Sequence, residues 1–409
     1  MYAGEDPATG KKRWASKTVR GTKADARKAR DELKRELESG LKVDARNVTF
    51  GEFAREWHER RVTSGEIGER NALDTVYAVK RLVSLMGNMR LRDVDVQTVE
   101  RVLDIIRNGE DRGGRAIGNT AVRRYYVILK QVMQRAVDCD LVMRNPCARV
   151  KPPRLDPVER RSLSHDEAAA LIRAVDESER KELAKMGAVE ARAEEAGRCG
   201  VSRVAGLGTL GRLQAVRIGL ATGLRLGEAC ALTWGDVDLA ACLVHVGRSI
   251  TTCGTIKEPK SRAGVRSVSI DGETARKLHA WRRVQAEKLG RMGVSAGDDT
   301  PVCCSEVGGY LSLANFERWW RAWRLENGFP TLKFHELRHT QATQLLAAGV
   351  DVKTVQTRLG HSSASLTLDL YAHAVPENDR AAADLIGELF AAKKPEAPEN
   401  SGFRLVKTA

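Results

Sequence analysis

No stretch of the chain approaches the roughly 20 uninterrupted apolar residues that a membrane-spanning helix requires. Nor does the apolar core of a secretory signal follow Met1. Both absences lead us to expect a protein that stays in the cytoplasm. The eight cysteines are scattered apart from Cys303 and Cys304, and no C-x-x-C pair occurs. Neither a zinc knuckle nor a disulfide framework is therefore supported, and the cysteines read as reduced, mostly buried small hydrophobes. Aromatic residues are few, at 5%, while 30% of residues are charged, a balance that suits a soluble, helix-rich protein. Acids are the minority charge. The 68 Lys and Arg exceed the 54 Asp and Glu by 14, which favours a polyanionic partner, nucleic acid ahead of a membrane surface. No internal repeat is visible, and 409 residues exceed one compact core, so two or three domains are expected.

Residues 1–46 read as a small basic module. Asp6-Pro7-Ala8-Thr9-Gly10 is a turn between two short strands, the second spanning Lys12 to Thr18, and a charged helix runs from about Lys23 to Ser39. Lys11, Lys12, Arg13 and Lys17 surround Trp14 there, a pattern for a nucleic-acid-binding face as well as for a solvated one. A helical region, 47–143, follows. Thr49 and Glu52 make a capping box before Phe50, Phe53 and Trp57. Further helices are expected at 71–86, 95–107 and 119–138, the last N-capped by Asn119 with Val122, Tyr126, Leu129, Met133 and Ala136 facing inward. Arg123, Arg124 and Lys130 beside that stripe are candidates to grip phosphates. Residues 144–161 hold four prolines with several Arg and Lys and read as a stiff basic linker. Lys151 and Arg154 would lie along a DNA backbone if the flanking domains closed around it.

The third region, 162–390, opens with a second capping box, Ser164 to Glu167, and a helix through Leu171, Ile172 and Val175. A charged, alanine-rich stretch from 178 and a glycine-rich one to 211 read as an insertion. Strands are expected near Leu243–Val246 and Arg266–Ile270, and helices at Leu313–Glu326, His335–Ala348 and 351–359, the last closed by Gly360. The tail, 391–409, reads as mobile. The fold class is mainly α with small β-sheets.

Within this region His335 and Arg338, three apart on a helix, share a face. A second histidine after a Gly turn, His361, and a lone tyrosine ten residues on, Tyr371, complete a set able to hold a phosphate and attack it. Two motifs compete with that reading. His335-Glu336-Leu337-Arg338-His339 matches the zinc-hydrolase pattern H-E-x-x-H, but Ala342 stands where the longer metzincin pattern requires Gly, and Arg338 sits between the would-be ligands. Gly206-Leu-Gly208-Thr-Leu-Gly211 matches a dinucleotide fingerprint, but the short polar segment before it is no buried strand, so it reads as a flexible loop. Neither a metal nor a cofactor is expected.

Several blocks together resemble the tyrosine recombinase (phage integrase) family. They are Ala221-Thr-Gly-Leu-Arg225-Leu-Gly-Glu228, Trp234-Gly-Asp236-Val-Asp238, Pro259-Lys260-Ser261, His335-Glu-Leu-Arg338-His339-Thr340, Leu359-Gly360-His361-Ser362-Ser363 and Leu368-Asp-Leu-Tyr371-Ala-His373. They come in the family's order over roughly 160–390. The resemblance implies a catalytic domain preceded by a helical core-DNA-binding domain and, more loosely, by an arm-type DNA-binding module. The chain opens at Met1-Tyr2 where the family has a longer first strand, a departure that points to a shortened module. The resemblance further implies an integrase that cuts and rejoins strands through a 3′-phosphotyrosyl link. Tyr371 would be the nucleophile, with Arg225 and Arg338 on the non-bridging oxygens and Lys260 protonating the leaving 5′ oxygen, Lys257 being its rival. His335 would act as acid or base, and His361 would donate to the phosphate. Glu228 and His339 would pack behind them. The implied partners are double-stranded attachment sites, four protomers at the synapse, and DNA-bending or directionality proteins, in a nucleoid-associated setting. The alternatives are a DNA-organising protein that keeps the fold without the chemistry, a zinc hydrolase, and, within the family, a resolvase or transposon recombinase.

Overall fold

The computed structural model describes residues 2–5, 12–14, 16, 18–38, 47–155, 161–195, 206–259 and 262–361, with 384, 386, 387 and 390. The chain forms two compact units, Met1–Glu159 and Arg160–Ala409.

In the first unit, strands β1 (Tyr2–Glu5) and β2 (Lys12–Trp14) pair antiparallel, Tyr2 opposite Trp14 and Glu5 opposite Lys12. The second strand ends at Trp14, short of the expected Thr18. Helix α1 (Lys23–Glu38) is started by Thr22 and Asp25, whose side chains cap each other's backbone N–H groups. Helices α2 (Phe50–Thr63), α3 (Glu69–Met86), α4 (Val96–Asn108) and α5 (Asn119–Asp138) then enclose one core that includes Phe50, Leu82, Ile106, Leu129 and Met133. The Thr49–Glu52 box is formed, and all five expected inward residues of α5 are buried. Asn119, however, is not the cap of α5. The Gly118 carbonyl already accepts from the Val122 N–H, so the helix starts one residue earlier than the side-chain signal suggested.

Part of the proline-rich stretch also belongs to this core. Pro146–Arg149 is a 3-10 turn with Pro146 and Cys147 buried. The Asn145 carboxamide accepts from the Cys147 N–H and donates to the Lys130 carbonyl, while the Tyr126 hydroxyl donates to the Cys147 and Val150 carbonyls. Proline's missing donor costs nothing at the first position of such a turn.

In the second unit, Ser164 and Glu167 cap each other as expected and start α6, which runs His165–Glu195 without a break. The charged stretch from 178 therefore continues the first helix instead of leaving it. Ala, Glu, Lys and Arg are strong helix formers, and Glu190 fixes the far end through Lys288 at 2.7 Å and Arg291 at 3.0 Å. Leu171 and Val175 are buried, whereas Ile172 is 46% exposed.

The G-x-G-x-x-G segment is not a loop. Gly206, left-handed at φ 92°, precedes α7 (Leu207–Thr222), the central helix of this unit, with Leu207, Leu210, Leu213, Val216 and Ile218 fully buried. A Cβ on Gly211 would stand 2.3 Å from the Cys304 carbonyl oxygen, so glycine here lets two backbones touch. Around α7 lie α6, α9 (Gly272–Arg291) and α11 (Phe334–Ala347). After α7 come α8 (Leu226–Ala229), β3 (Val237–Asp238) and β4 (Leu243–Val246), then the hairpin of β5 (Ser249–Ile250) with β6 (Ile256–Lys257), and β7 (Arg266–Ser269). The sheet order is β3-β4-β7, all antiparallel. Helix α10 (Leu313–Glu326) sets Phe316 and Trp320 against Phe334. Helix α12 (Val352–Leu359) ends at Gly360, left-handed at φ 67°. The expected strands and late helices thus fold within a residue or two of their predicted bounds, and the architecture is mainly helical with small sheets. Among the described residues no helix is long and apolar enough to cross a membrane. Of the described cysteines, Cys147, Cys230, Cys303 and Cys304 are buried, Cys139 and Cys242 are partly covered and Cys253 is exposed, all unbridged. Burial pushes the Cys230 thiol up to about 12, which makes it inert at neutral pH.

Candidate active site

Helix α7 ends on Gly223, left-handed at φ 69°, and the chain turns through buried Leu224 into α8. Arg225 stands at this corner. Its backbone N–H donates to one Glu228 carboxylate oxygen at 3.0 Å and its Nη1 to the other at 2.8 Å, while its side chain stays 45% exposed. The corner thus presents a guanidinium with one edge fixed and the rest open.

Helix α11 begins where the Lys333 N–H donates to the Glu336 carboxylate at 2.9 Å. That bond occupies the glutamate that a zinc hydrolase would use as base. Its neighbour His335 is exposed, and its ring meets His339 edge-on at 4.7 Å. Among the described residues no group of three or more His, Cys, Asp or Glu is arranged to hold a metal ion. One turn along, Arg338 is only 2% exposed and donates to two backbone carbonyls, Nη1 to Gly223 at 3.0 Å and Nη2 to Leu359 at 2.5 Å. It thereby ties the end of α7 to the end of α12. His361, one residue past the Gly360 turn, is buried, and its backbone N–H and carbonyl are both held by Gln356.

The charges of these groups act on one another. Burial, and then the Arg225 charge, pull Arg338 down to about 9, yet a guanidinium stays protonated at neutral pH. Burial, followed by Arg338 and Arg225, pulls His361 down to about 4, so its ring is neutral at pH 7 and carries a single N–H. Burial pushes the Glu228 carboxyl up, but Arg266 and Arg225 outweigh it and hold the group below its ordinary value. Three guanidinium groups therefore crowd one carboxylate, and the locus has a surplus of positive charge.

Arg225, Arg338 and His361 thus act on one another, while the described contact of His335 is with His339. Tyr371 and Lys260 lie outside the described residues. The β5–β6 hairpin three residues before Lys260 is formed, with Lys257 exposed on it. Of the DNA-contact candidates, Lys12, Lys130, Lys151 and Arg154 are exposed. Arg123 donates to the Pro153 carbonyl at 3.1 Å, and Arg124 pairs with Asp74 at 3.3 Å. Lys11, Lys17 and the Arg13 side chain lie outside the described residues.

Sequence reasoning missed Arg266, which is 4% exposed in its side chain and pairs with Glu228 at 2.9 Å. A signal existed. Strand β7 alternates inward and outward, and Arg266 falls on the inward phase with Val268, where a charge needs a partner.

Residues 209–378 match the family model described as the phage integrase family. A XerC-like tyrosine recombinase of Caldanaerobacter subterraneus subsp. tengcongensis is 32% identical over 184 residues, 41% of this chain but only 47% of that protein. The ICEBs1 integrase of Bacillus subtilis is 22% identical over 392 residues, 94% of this chain and 95% of that protein. Among solved structures, the Tn1549 transposon integrase in complex with a circular intermediate DNA superposes with a TM-score of 0.63 at 18% identity. It covers 83% of this chain and 99% of that one, and the likeness is one of fold. With the family's residue blocks in their order and the fold in place around them, residues 209–378 carry a phage integrase family domain.

Proposed function

We propose that the chain integrates or excises a mobile element by cutting and rejoining DNA strands through a covalent 3′-phosphotyrosyl intermediate. The observation that carries this reading is the crowding of Arg225, Arg338 and His361 around one partly open, over-positive corner. A phosphodiester is the ligand whose charge and oxygen geometry relieve that crowding. Arg338 has five N–H donors and spends two on carbonyls, leaving others for a non-bridging oxygen. Arg225 takes the second oxygen, and both stabilise the charge that grows there as the phosphorus becomes five-coordinate.

The Tyr371 phenol, with an ordinary pKa near 10, attacks as its proton leaves to a base, the role we assign to His335. Neutral His361 donates its N–H to the phosphate. Lys260 delivers a proton to the departing 5′ oxygen. The new P–O bond to tyrosine replaces the broken P–O bond to the 5′ oxygen, so the link conserves bond energy and the freed 5′ hydroxyl can reverse the step on a partner strand. No nucleotide triphosphate enters that balance. The substrate is double-stranded attachment-site DNA, engaged by four protomers at a synapse in the bacterial nucleoid. Lys12, Lys130, Lys151 and Arg154 supply phosphate contacts away from the cleavage point. The 1–46 module acts as the arm-site binder, and DNA-bending or directionality proteins assist.

The test is recovery of a covalent protein–DNA species on nicked suicide duplexes. Their sequence is taken from the junctions of the element that carries the gene. Peptide mapping should find the DNA on Tyr371 through a 3′ phosphate. Attachment at another residue or at a 5′ end would overturn the mechanism, and a duplex bound but never attached would favour an architectural protein.

A further inference from the structure

We propose that Arg266 is a positioning residue for strand cleavage, locking the Arg225 corner and the His361 turn into one unit without touching DNA. This inference rests on the recombinase reading above. Its guanidinium is spent in three directions. Nη2 donates to the Glu228 carboxylate at 2.9 Å, Nε to the Arg358 carbonyl at 2.8 Å, and Nη1 to the Gly264 carbonyl at 3.2 Å. Glu228 in turn holds both the backbone and the guanidinium of Arg225. Arg358 immediately precedes Leu359, whose carbonyl Arg338 grips, and lies three residues before His361. Gly360 presses on the same group, since a Cβ there would stand 2.9 Å from the Arg266 Nη1 and 2.8 Å from the Ala263 carbonyl.

With Nε, Nη1 and Nη2 each already donating inside the protein, Arg266 acts on the site through the groups it holds. Its rigid fork is what the arrangement uses. Lysine supplies a single ammonium and cannot span a carboxylate and two carbonyls on three different segments. Charge balance points the same way. Glu228 shared between two guanidiniums neutralises each only in part, so Arg225 keeps positive character while its direction is fixed.

The experiment measures single-turnover adduct formation at saturating suicide duplex, and duplex affinity separately, for Arg266→Lys and for Gly360→Ala. The glycine change pushes on the same contact from the α12 side. Each should slow adduct formation about 10- to 100-fold, the scale of a small misplacement of a phosphate clamp, with duplex Kd within about threefold of wild type. A purely structural role would act independently of Arg225. The discriminating measurement is therefore a double-mutant cycle, in which Arg266→Lys placed on an Arg225→Lys background should slow the reaction less than about threefold further. Multiplicative losses, an unchanged rate in both single variants, or a loss confined to Kd would each overturn the inference. If the wild-type chain forms no adduct, the recombinase reading falls first. If it does and the Arg266 variants keep pace, only the positioning role falls.

Discussion

Replacing Arg338 with lysine separates what this side chain does for the fold from what it does for the phosphate. Two buried carbonyls, Gly223 and Leu359, depend on it. One ammonium can serve one of them, so the other loses its donor in a site closed to water, at a cost of about 1–3 kcal/mol. Catalysis should suffer separately. The two-pronged grip on a phosphate oxygen becomes a single point charge, and deleting one preorganised donor to a transition-state oxyanion typically slows a reaction about 10²- to 10³-fold. The two effects read out differently. Native-state hydrogen exchange of the α7 amides reports the stability loss. Rapid-quench adduct formation at saturating duplex reports the rate loss, and it should persist as DNA concentration rises. If Arg338→Lys formed adduct within threefold of wild type at saturation, the placement of this guanidinium on the phosphate would be refuted. If the loss disappeared at high DNA, it would belong to binding.

Tyr371→Phe should bind duplex with wild-type affinity and form no adduct, checked by gel shift beside denaturing electrophoresis; residual adduct would move the nucleophile elsewhere. His361 is neutral in the fold, its proton affinity lowered from 6.5 to about 4, so the unfolded chain binds more protons between those values. Its contribution is present in full above pH 6.5, declines as pH falls towards 4 and then stops changing. At about 1.36 kcal/mol per pH unit it amounts to something on the order of 3 kcal/mol. The pH-dependence of unfolding in wild type minus that in His361→Asn isolates it, and parallel curves would refute it. Gly211→Ala should destabilise the second unit by about 1–3 kcal/mol, because its methyl enters the Cys304 backbone; calorimetry decides. Sulfate at ten times its dissociation constant should add about 1.4 kcal/mol to stability, and a thermal scan should find that gain absent in Arg225→Ala.

Side-chain patterns made the candidate site partly legible. His335 and Arg338 announce a shared helix face by their spacing, whereas Arg225 is reached only through the block that resembles the family. What the sequence hid was the support. Arg338 is positioned by carbonyls at Gly223 and Leu359, and a carbonyl leaves no mark in a sequence because every residue has one. Arg266 finds Glu228 across 38 positions of chain, a distance at which pairing cannot be read from spacing. Other misses had readable causes. The short polar segment before Gly206–Gly211 predicts a loop there, whereas glycine's lack of a side chain lets α7 meet Cys304. The residues after 178 read as an insertion, and their Ala, Glu and Lys content favours the helix that continues α6 as far as Glu195. At Asn119 the side chain predicts a cap, but the backbone of Gly118 begins the helix without one.

The choice of carbonyls as partners for Arg338 bears on function as well as on folding. A buried guanidinium is usually stabilised by a carboxylate, which would leave the site neutral and oblige an incoming phosphate to displace it. Here the acceptors lie at the C-terminal ends of α7 and α12, where unpaired carbonyls carry partial negative charge. They hold the arginine without cancelling it. The Glu228 carboxylate beside them is divided between Arg225 and Arg266. Both devices leave charge uncompensated in a fixed geometry, and burial, followed by the Arg225 charge, holds Arg338 below its ordinary pKa before any ligand arrives. On the mechanism proposed above, that unfavourable charge is relieved when a phosphodiester enters, and relieved further as its oxygens gain charge on the way to a five-coordinate phosphorus. The interaction is then stronger in the transition state than in the bound substrate, the condition for accelerating a chemical step as opposed to merely binding DNA.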